Sequence, residues 1–406
     1  MRHAPRRGVP DWQNRDVPKR AFVVVIDACG AGAAPDAADY GDEGTNTLGH
    51  LAQRLGGLRL PTLQRLGLGS ILPLEGVAPA SWPLLHGRLR PQGPGKDSTA
   101  GHWELMGIVA THRPPTYPHG FPAEVIEIVR AASGREVICN RPDNGLDAIG
   151  EFGSEQLRTG ALIVYTSQDS VLQIAAHAAV VAPAQLYEIC RKVRDAMSGD
   201  HAVGRVIARP FEGAEGEFQR TDGRHDYALA PPSGGYLGAL RARKVPVHAV
   251  GKVSNLLAGA EIDFDHPGPT NGVALEQIDT LIDALDAGLV FANLVETDQV
   301  YGHRHDFEGF AGALAQIDAR VGEWMELLRE DDMLVLTADH GCDLTSPRTD
   351  HTREHAPLLA AFSGHGGRRH DGVLSDVGAS VLQWLTGELE PSLPGRSFVA
   401  PTSGNI

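Results

Sequence analysis

Residues 21–27, AFVVVID, form an unbroken apolar run rich in β-branched side chains and closed by an aspartate. A run without polar alternation suits a strand covered on both faces, the kind found in parallel sheets flanked by helices. Runs of the same kind recur at 245–251, 288–295, 332–339 and 357–362. Between residues 295 and 332, the steps from Phe310 through Leu314, Ile317, Val321 and Trp324 to Leu328 trace one apolar helical stripe. A further helix is expected over 376–385. The pattern predicts an α/β fold with a mostly parallel central sheet flanked by helices.

The middle of the chain reads differently. PTYPHGFP (115–122) is rich in turn formers. EVICN, ALIVYT and AVGRVIARP read as shorter strands around helices near 122–133 and 184–197. The expected organisation is a flexible extension over 1–20, a core built from 21–111 and 225–406, and a smaller α/β cap inserted at 112–224. The extension carries Asp11 and Asp16 and has no apolar centre, so it does not read as a secretory signal. Four widely spaced cysteines without a CxxC pair suggest a reducing, cytoplasmic home. A net charge of -15 argues against nucleic acid or anionic membrane as partner. An anionic substrate would then need a locally positive site.

Carboxylates and imidazoles collect after the strands, where open α/β sheets build their sites. Asp27 closes the first strand; Asp298 and His303 follow the run at 288–295. Asp339 and His340 close the run at 332–339, and His351 stands in TDHTREH. One such aspartate alone reads as a turn or helix cap. Together they form a mixed oxygen and nitrogen donor set suited to Mn²⁺, Zn²⁺ or Mg²⁺, with enough ligands for two ions. His50, His102, His177, His201, His225, His248 and His365 lack that placement and read as core or surface histidines. In GKDSTAGHWELMG (95–107), Ser98 stands where a helix begins. It reads equally as an ordinary N-cap or as a nucleophile activated by a metal.

The combination resembles the prokaryotic phosphopentomutases of the alkaline phosphatase superfamily, from about residue 20 to about 400. The likeness is carried by AFVVVIDACGAGAAPDAADYGDEGTNTLGH, GKDSTAGHWELMG, PTYPHGFP, YTSQDSVLQIAAH, GRVIARPFEG, RTDGRHDYAL, YGHRHD, and TADHGCD with TDHTREH. It implies an alkaline-phosphatase-like core and two manganese ions, one held by Asp298, His303 and His351, the other by Asp27, Asp339 and His340. It implies that Ser98 is phosphorylated in the active enzyme and bridges both ions. Ser167, Asp169, Arg205, Ile207 and Arg220 of the cap, with Lys252 of the core, would line the sugar-phosphate pocket.

Three positions depart from the family pattern. Ser98 stands where bacterial members commonly carry threonine. Glu296 replaces the first aspartate of VDFD, and Ala178 follows His177 where glutamate is usual. The implied activity interconverts the 1- and 5-phosphates of ribose or deoxyribose through a bisphosphate. Ribose 1,5-bisphosphate or glucose 1,6-bisphosphate would prime it, and the enzyme would act as a monomer or weak homo-oligomer. The competing readings are a phosphomonoesterase or phosphoglycerate mutase on the same core, and a non-catalytic, metal-stabilised phosphosugar-binding protein.

Overall fold

The strand expected at 21–27 forms as β1, Arg20–Ile26, buried along its whole length. The computed structural model describes residues 19–167, 170–364 and 366–399. The expected extension therefore lies outside the described residues, save its last two positions. Arg20 is a correction to that expectation, because it opens β1. Its buried guanidinium pairs with Asp332 through Nε at 2.8 Å and Nη2 at 2.6 Å. The pairing register sets Arg20 beside Asp332, so the ion pair starts the strand one residue early.

Two sheets organise the chain. The larger contains β1, β2 (Leu85–Arg90), β9 (Val247–Val250), β10 (Phe264–His266), β11 (Gly288–Leu294), β12 (Asp332–Thr337), β13 (Ala356–Ala361) and β14 (Gly372–Val373). Its order is β10-β9-β11-β1-β12-β13-β2-β14. The run from β10 to β12 is parallel, whereas β13 lies antiparallel to both neighbours. The segment at 357–362 was expected to run with the others. It reverses because β12 and β13 are joined by a loop that carries site residues rather than by a crossover helix.

The smaller sheet has the order β3-β4-β5-β6-β7, with β8 on β6. These strands are Val137–Pro142, Leu162–Thr166, Val171–His177, Arg205–Glu212, Gln219–Arg220 and His225–Ala228. It has apolar clusters of its own. One, around Val125, Leu172 and Leu186, lies apart from another around Ile149, Tyr165 and Phe211. The boundary expected at 224/225 is displaced, because β8 pairs with β6 and Leu229 still donates to Gly204 O at 2.8 Å. The helix Gly145–Thr159 and strand β5 were not read from the sequence as elements. Helix Phe307–Leu327 buries Phe310, Leu314, Ile317, Val321 and Trp324 as expected, with Leu328 just past its end. Helix Asp376–Thr386 follows the last strand. Among the described residues, no helix is long and apolar enough to cross a membrane.

Candidate metal centre and nucleophile

β1 and β12 end one and two residues short of Asp27 and Asp339, so both carboxylates stand in the turns beyond. The exit from β1 is left-handed at Ala28, with φ 61°. This is an uncommon state for a side chain carrying Cβ and a recurrent form of local strain at functional sites. It lets the Ala28 N–H donate to Asp339 Oδ1 at 3.2 Å. Beyond β11, one π-helical turn, Thr297–Tyr301, carries Asp298, and a 3-10 turn, Gly302–Arg304, carries His303. Wide turns of this kind often mark functional sites.

Asp298 lies between two imidazoles, Oδ2 at 3.4 Å from His303 Nε2 and Oδ1 at 3.4 Å from His351 Nε2. Asp27 Oδ1 lies 3.3 Å from His340 Nε2, which is 3.5 Å from Asp339 Oδ2. The rings of His340 and His351 are 4.1 Å apart, so the two halves form one centre. Burial would push the Asp298 carboxyl up, yet His303 and His351 hold it well below the usual carboxylate range. Asp298 in turn raises His303 to about 9. Burial and the neighbouring Asp339 push Asp27 up.

The donor set fits divalent ions. Donor atoms of Asp298, His303 and His351 lie within 4.8 Å of one another, as do those of Asp27, Asp298 and His340. Asp298 Oδ1, Asp339 Oδ2 and His351 Nε2 are buried and make no hydrogen bond. Such orphaned atoms are costly unless something satisfies them. The second group contains Asp298 where the family resemblance implied Asp339. The Asp339 carboxylate is turned toward the neighbouring helix: Oδ1 accepts from the Ala28 and His340 N–H groups, and Oδ2 sits 3.2 Å from His102 Nδ1.

Ser98 opens the helix Ser98–Leu105, but it is not the cap; Asp97 accepts from the Ala100 N–H at 3.0 Å. The serine hydroxyl is thereby free to donate to Asp27 Oδ1 at 3.3 Å, with His340 Nε2 at 3.1 Å. Gly101 allows this helix to lie directly on Asp339, since a Cβ there would come 2.4 Å from Asp339 O. His102, read as an ordinary core histidine, is fully buried and joins Nδ1 to Ser98 O at 2.8 Å.

Asn293 also escaped the sequence reading. Its amide donates to Asp27 Oδ2 at 3.0 Å, and a polar residue inside the apolar run 288–295 was the available signal. Thr297 donates to Asp27 O at 2.6 Å. Glu296, the departure in VETD, does not face Asp298: its Oε2 accepts from the Asn271 N–H at 2.9 Å, and its own N–H donates back to Asn271 Oδ1.

The residues assigned to the sugar phosphate fall in several places. Lys252 stands at the N-cap position of the short helix Val253–Leu256, which Trp103 ties to the helix Ser98–Leu105 through a 2.9 Å bond to Leu256 O. Ser167 follows β4, and Asp169 lies outside the described residues. Arg205 opens β6, 3.6 Å from Asp226, and Ile207 is buried two positions on. Arg220 pairs with Phe211. The backbones of Arg205 and Arg220 therefore stand about 20 Å apart along β6, at roughly 3.3 Å per residue. Instead, Arg220 Nη2 and Tyr165 Oη crowd one point, each 2.4 Å from where a Cβ on Gly145 would sit. The Tyr165 hydroxyl is buried without a hydrogen bond. Arg209, half-buried nearby, donates from its side chain to the Gln173 amide oxygen at 3.2 and 3.0 Å, and among the described residues that side chain makes no other hydrogen bond.

Comparison with known proteins agrees in one direction. Residues 19–388 match the family model described as the metalloenzyme superfamily. The phosphopentomutase of Caldanaerobacter subterraneus subsp. tengcongensis is 45% identical over 389 residues, covering 94% of this chain and 97% of that protein. That of Desulfitobacterium hafniense is 44% identical over 385 residues, covering 94% and 99%. That of Carboxydothermus hydrogenoformans is 44% identical over 388 residues, covering 94% and 98%.

Proposed function

The chain belongs to the phosphopentomutases, within the metalloenzyme superfamily, and on that premise we propose that Ser98 is the residue that exchanges the phosphoryl group. The enzyme is an isomerase that interconverts pentose 1- and 5-phosphates. Asp298, His303 and His351 would hold one divalent ion, and Asp27, Asp339 and His340 the other, with Asp298 near enough to serve both. Two such ions, manganese by family resemblance, would offset phosphoryl charge and lower the pKa of the serine hydroxyl.

The chain's own residues do the rest. Phosphorylated Ser98 presents its group to a free hydroxyl of the pentose monophosphate. The Ser98 Oγ–P bond breaks, a sugar O–P bond forms, and the sugar proton is exchanged for one on Ser98. The bisphosphate turns and returns its other phosphate to Ser98, so nothing is consumed. A sugar bisphosphate would prime the cycle. Arg220 would hold the phosphate that is not being transferred, because a guanidinium group grips phosphate bidentately. The smaller sheet would act as the cap that excludes water, which would otherwise hydrolyse the phosphoserine.

The observation that carries this reading is the Ser98 hydroxyl at hydrogen-bond distance from both Asp27 and His340. Incubation with ribose 1-phosphate and manganese tests it. Ribose 5-phosphate should greatly exceed free phosphate; predominant release of phosphate would make the protein a phosphomonoesterase.

A further inference from the structure

Glu354 is 2% exposed, and among the described residues it faces no cation. Its carboxylate accepts from four donors on three separate segments. Gly32 N–H reaches Oε2 at 3.1 Å. Thr47 N–H reaches Oε2 at 2.9 Å, and the Thr47 hydroxyl reaches Oε1 at 2.7 Å. The Thr352 hydroxyl reaches Oε1 at 2.8 Å. Two backbones also approach the carboxylate more closely than any side chain would permit. A Cβ on Gly30 would lie 2.4 Å from Oε2, and one on Gly341 would lie 2.6 Å from Oε1.

These segments are the ones that carry the metal-binding side chains. Gly30 and Gly32 continue the turn from Asp27. Gly341 and Thr352 exchange backbone hydrogen bonds at 3.2 and 2.8 Å, and His340 and His351 each stand one residue before that pair. The Thr47 hydroxyl also accepts from the Cys342 N–H at 3.0 Å, which extends the network past His340. The hydrogen bonds of the Glu354 carboxylate go to Gly32, Thr47 and Thr352 rather than to any of the six proposed ligands, yet they join the backbones that aim three of them.

We propose that Glu354 is a positioning residue that locks the Asp27, His340 and His351 loops into one frame, so that both ion sites depend on it together. A buried carboxylate with every lone pair engaged acts as a rigid staple, because leaving any donor unmatched is costly. Groups beyond the direct ligands commonly set metal affinity by 10- to 100-fold.

The inference rests on the two-ion reading, and titration of the purified protein with Mn²⁺ against a competing chelator separates the two. Wild type should bind two ions; failure to do so would refute the two-ion reading itself. Glu354→Gln places an amide NH₂ against at least one donor, and it should weaken both ions by roughly 10-fold or more. At saturating Mn²⁺, the KM for ribose 1-phosphate should stay at the wild-type value. His303→Ala, by contrast, should weaken chiefly one ion. Unchanged affinity in folded Glu354→Gln, even with a lowered melting temperature of the metal-free protein, would leave Glu354 a merely structural residue and overturn the proposal. Loss of one ion alone would overturn it as well. If the glutamine variant does not fold, Glu354→Asp keeps the charge but shortens the reach; it should weaken both ions, and wild-type binding would overturn the proposal.

Discussion

The Ser98 hydroxyl oxygen lies 3.1 Å from Nε2 of His340, the residue that follows Asp339 in the turn after β12. The helix that Ser98 opens and the turn that carries Asp339 and His340 are therefore packed as one unit, with Gly101 against the Asp339 backbone. Ser98→Ala should remove turnover while leaving the fold and metal content in place. Ser98→Thr should keep much of it, since the hydroxyl survives and the helix is capped by Asp97. Rates of ribose 5-phosphate formation check both.

Chelation should abolish activity and Mn²⁺ should restore it. Asp339→Asn or His340→Ala should cost about 10²–10³-fold in kcat through lost charge stabilisation. In the metal-free protein, Asp298 raises His303 to about 9, so loading an ion must displace a proton from that imidazole. Metal affinity should therefore rise with pH toward 9 and fall below it. Chelator competition at several pH values measures this; affinity independent of pH would contradict it.

Among the described residues, the Tyr165 hydroxyl is buried without a hydrogen bond, and the Arg209 side chain donates to the Gln173 amide oxygen rather than to a carboxylate. A phosphate bound beside Arg220 would satisfy both. Tyr165→Phe and Arg209→Gln should raise the KM for pentose phosphates by about 10-fold or more, the scale of a lost hydrogen bond to a charged group. Tyr165→Phe should leave thermal stability unchanged or slightly improved, because it removes an unsatisfied group. An unchanged KM in both variants would place the phosphate elsewhere.

Arg20 and Asp332 form a buried pair joining β1 to β12. Arg20→Ala should cost about 3–5 kcal/mol of stability, because it strands the Asp332 charge. Denaturant unfolding of the metal-free protein reads this directly. A loss below 1 kcal/mol would mean that the freed Asp332 is solvated.

The parallel strands and the six ligand candidates were legible because burial on two faces leaves an unmistakable apolar run, and because the aspartates and histidines follow such runs. The reversed direction of β13 was not legible, since PLLAAF reads the same in either sense. Nor was β8, whose HDYA shows no apolar pattern and is held by its pairing with β6. Asp97 took the capping role that Ser98 alone would have suggested. Glu354 and His102 escaped because a buried polar residue announces itself only through partners distant in sequence: Thr47 for the first, Asp339 for the second. Nor was the spacing of Arg205 and Arg220 legible, since it is set by where Arg220 pairs along β6.

The assignment of Ser98 as phosphoryl carrier is tested most directly by locating the phosphate. The manganese-loaded enzyme, primed with ribose 1,5-bisphosphate and quenched, would be digested and its peptides sequenced by mass spectrometry. The phosphate should sit on Ser98, and it should disappear from the Ser98→Ala variant. Phosphate on Thr99, or an unphosphorylated enzyme that still isomerises ribose 1-phosphate, would contradict the assignment.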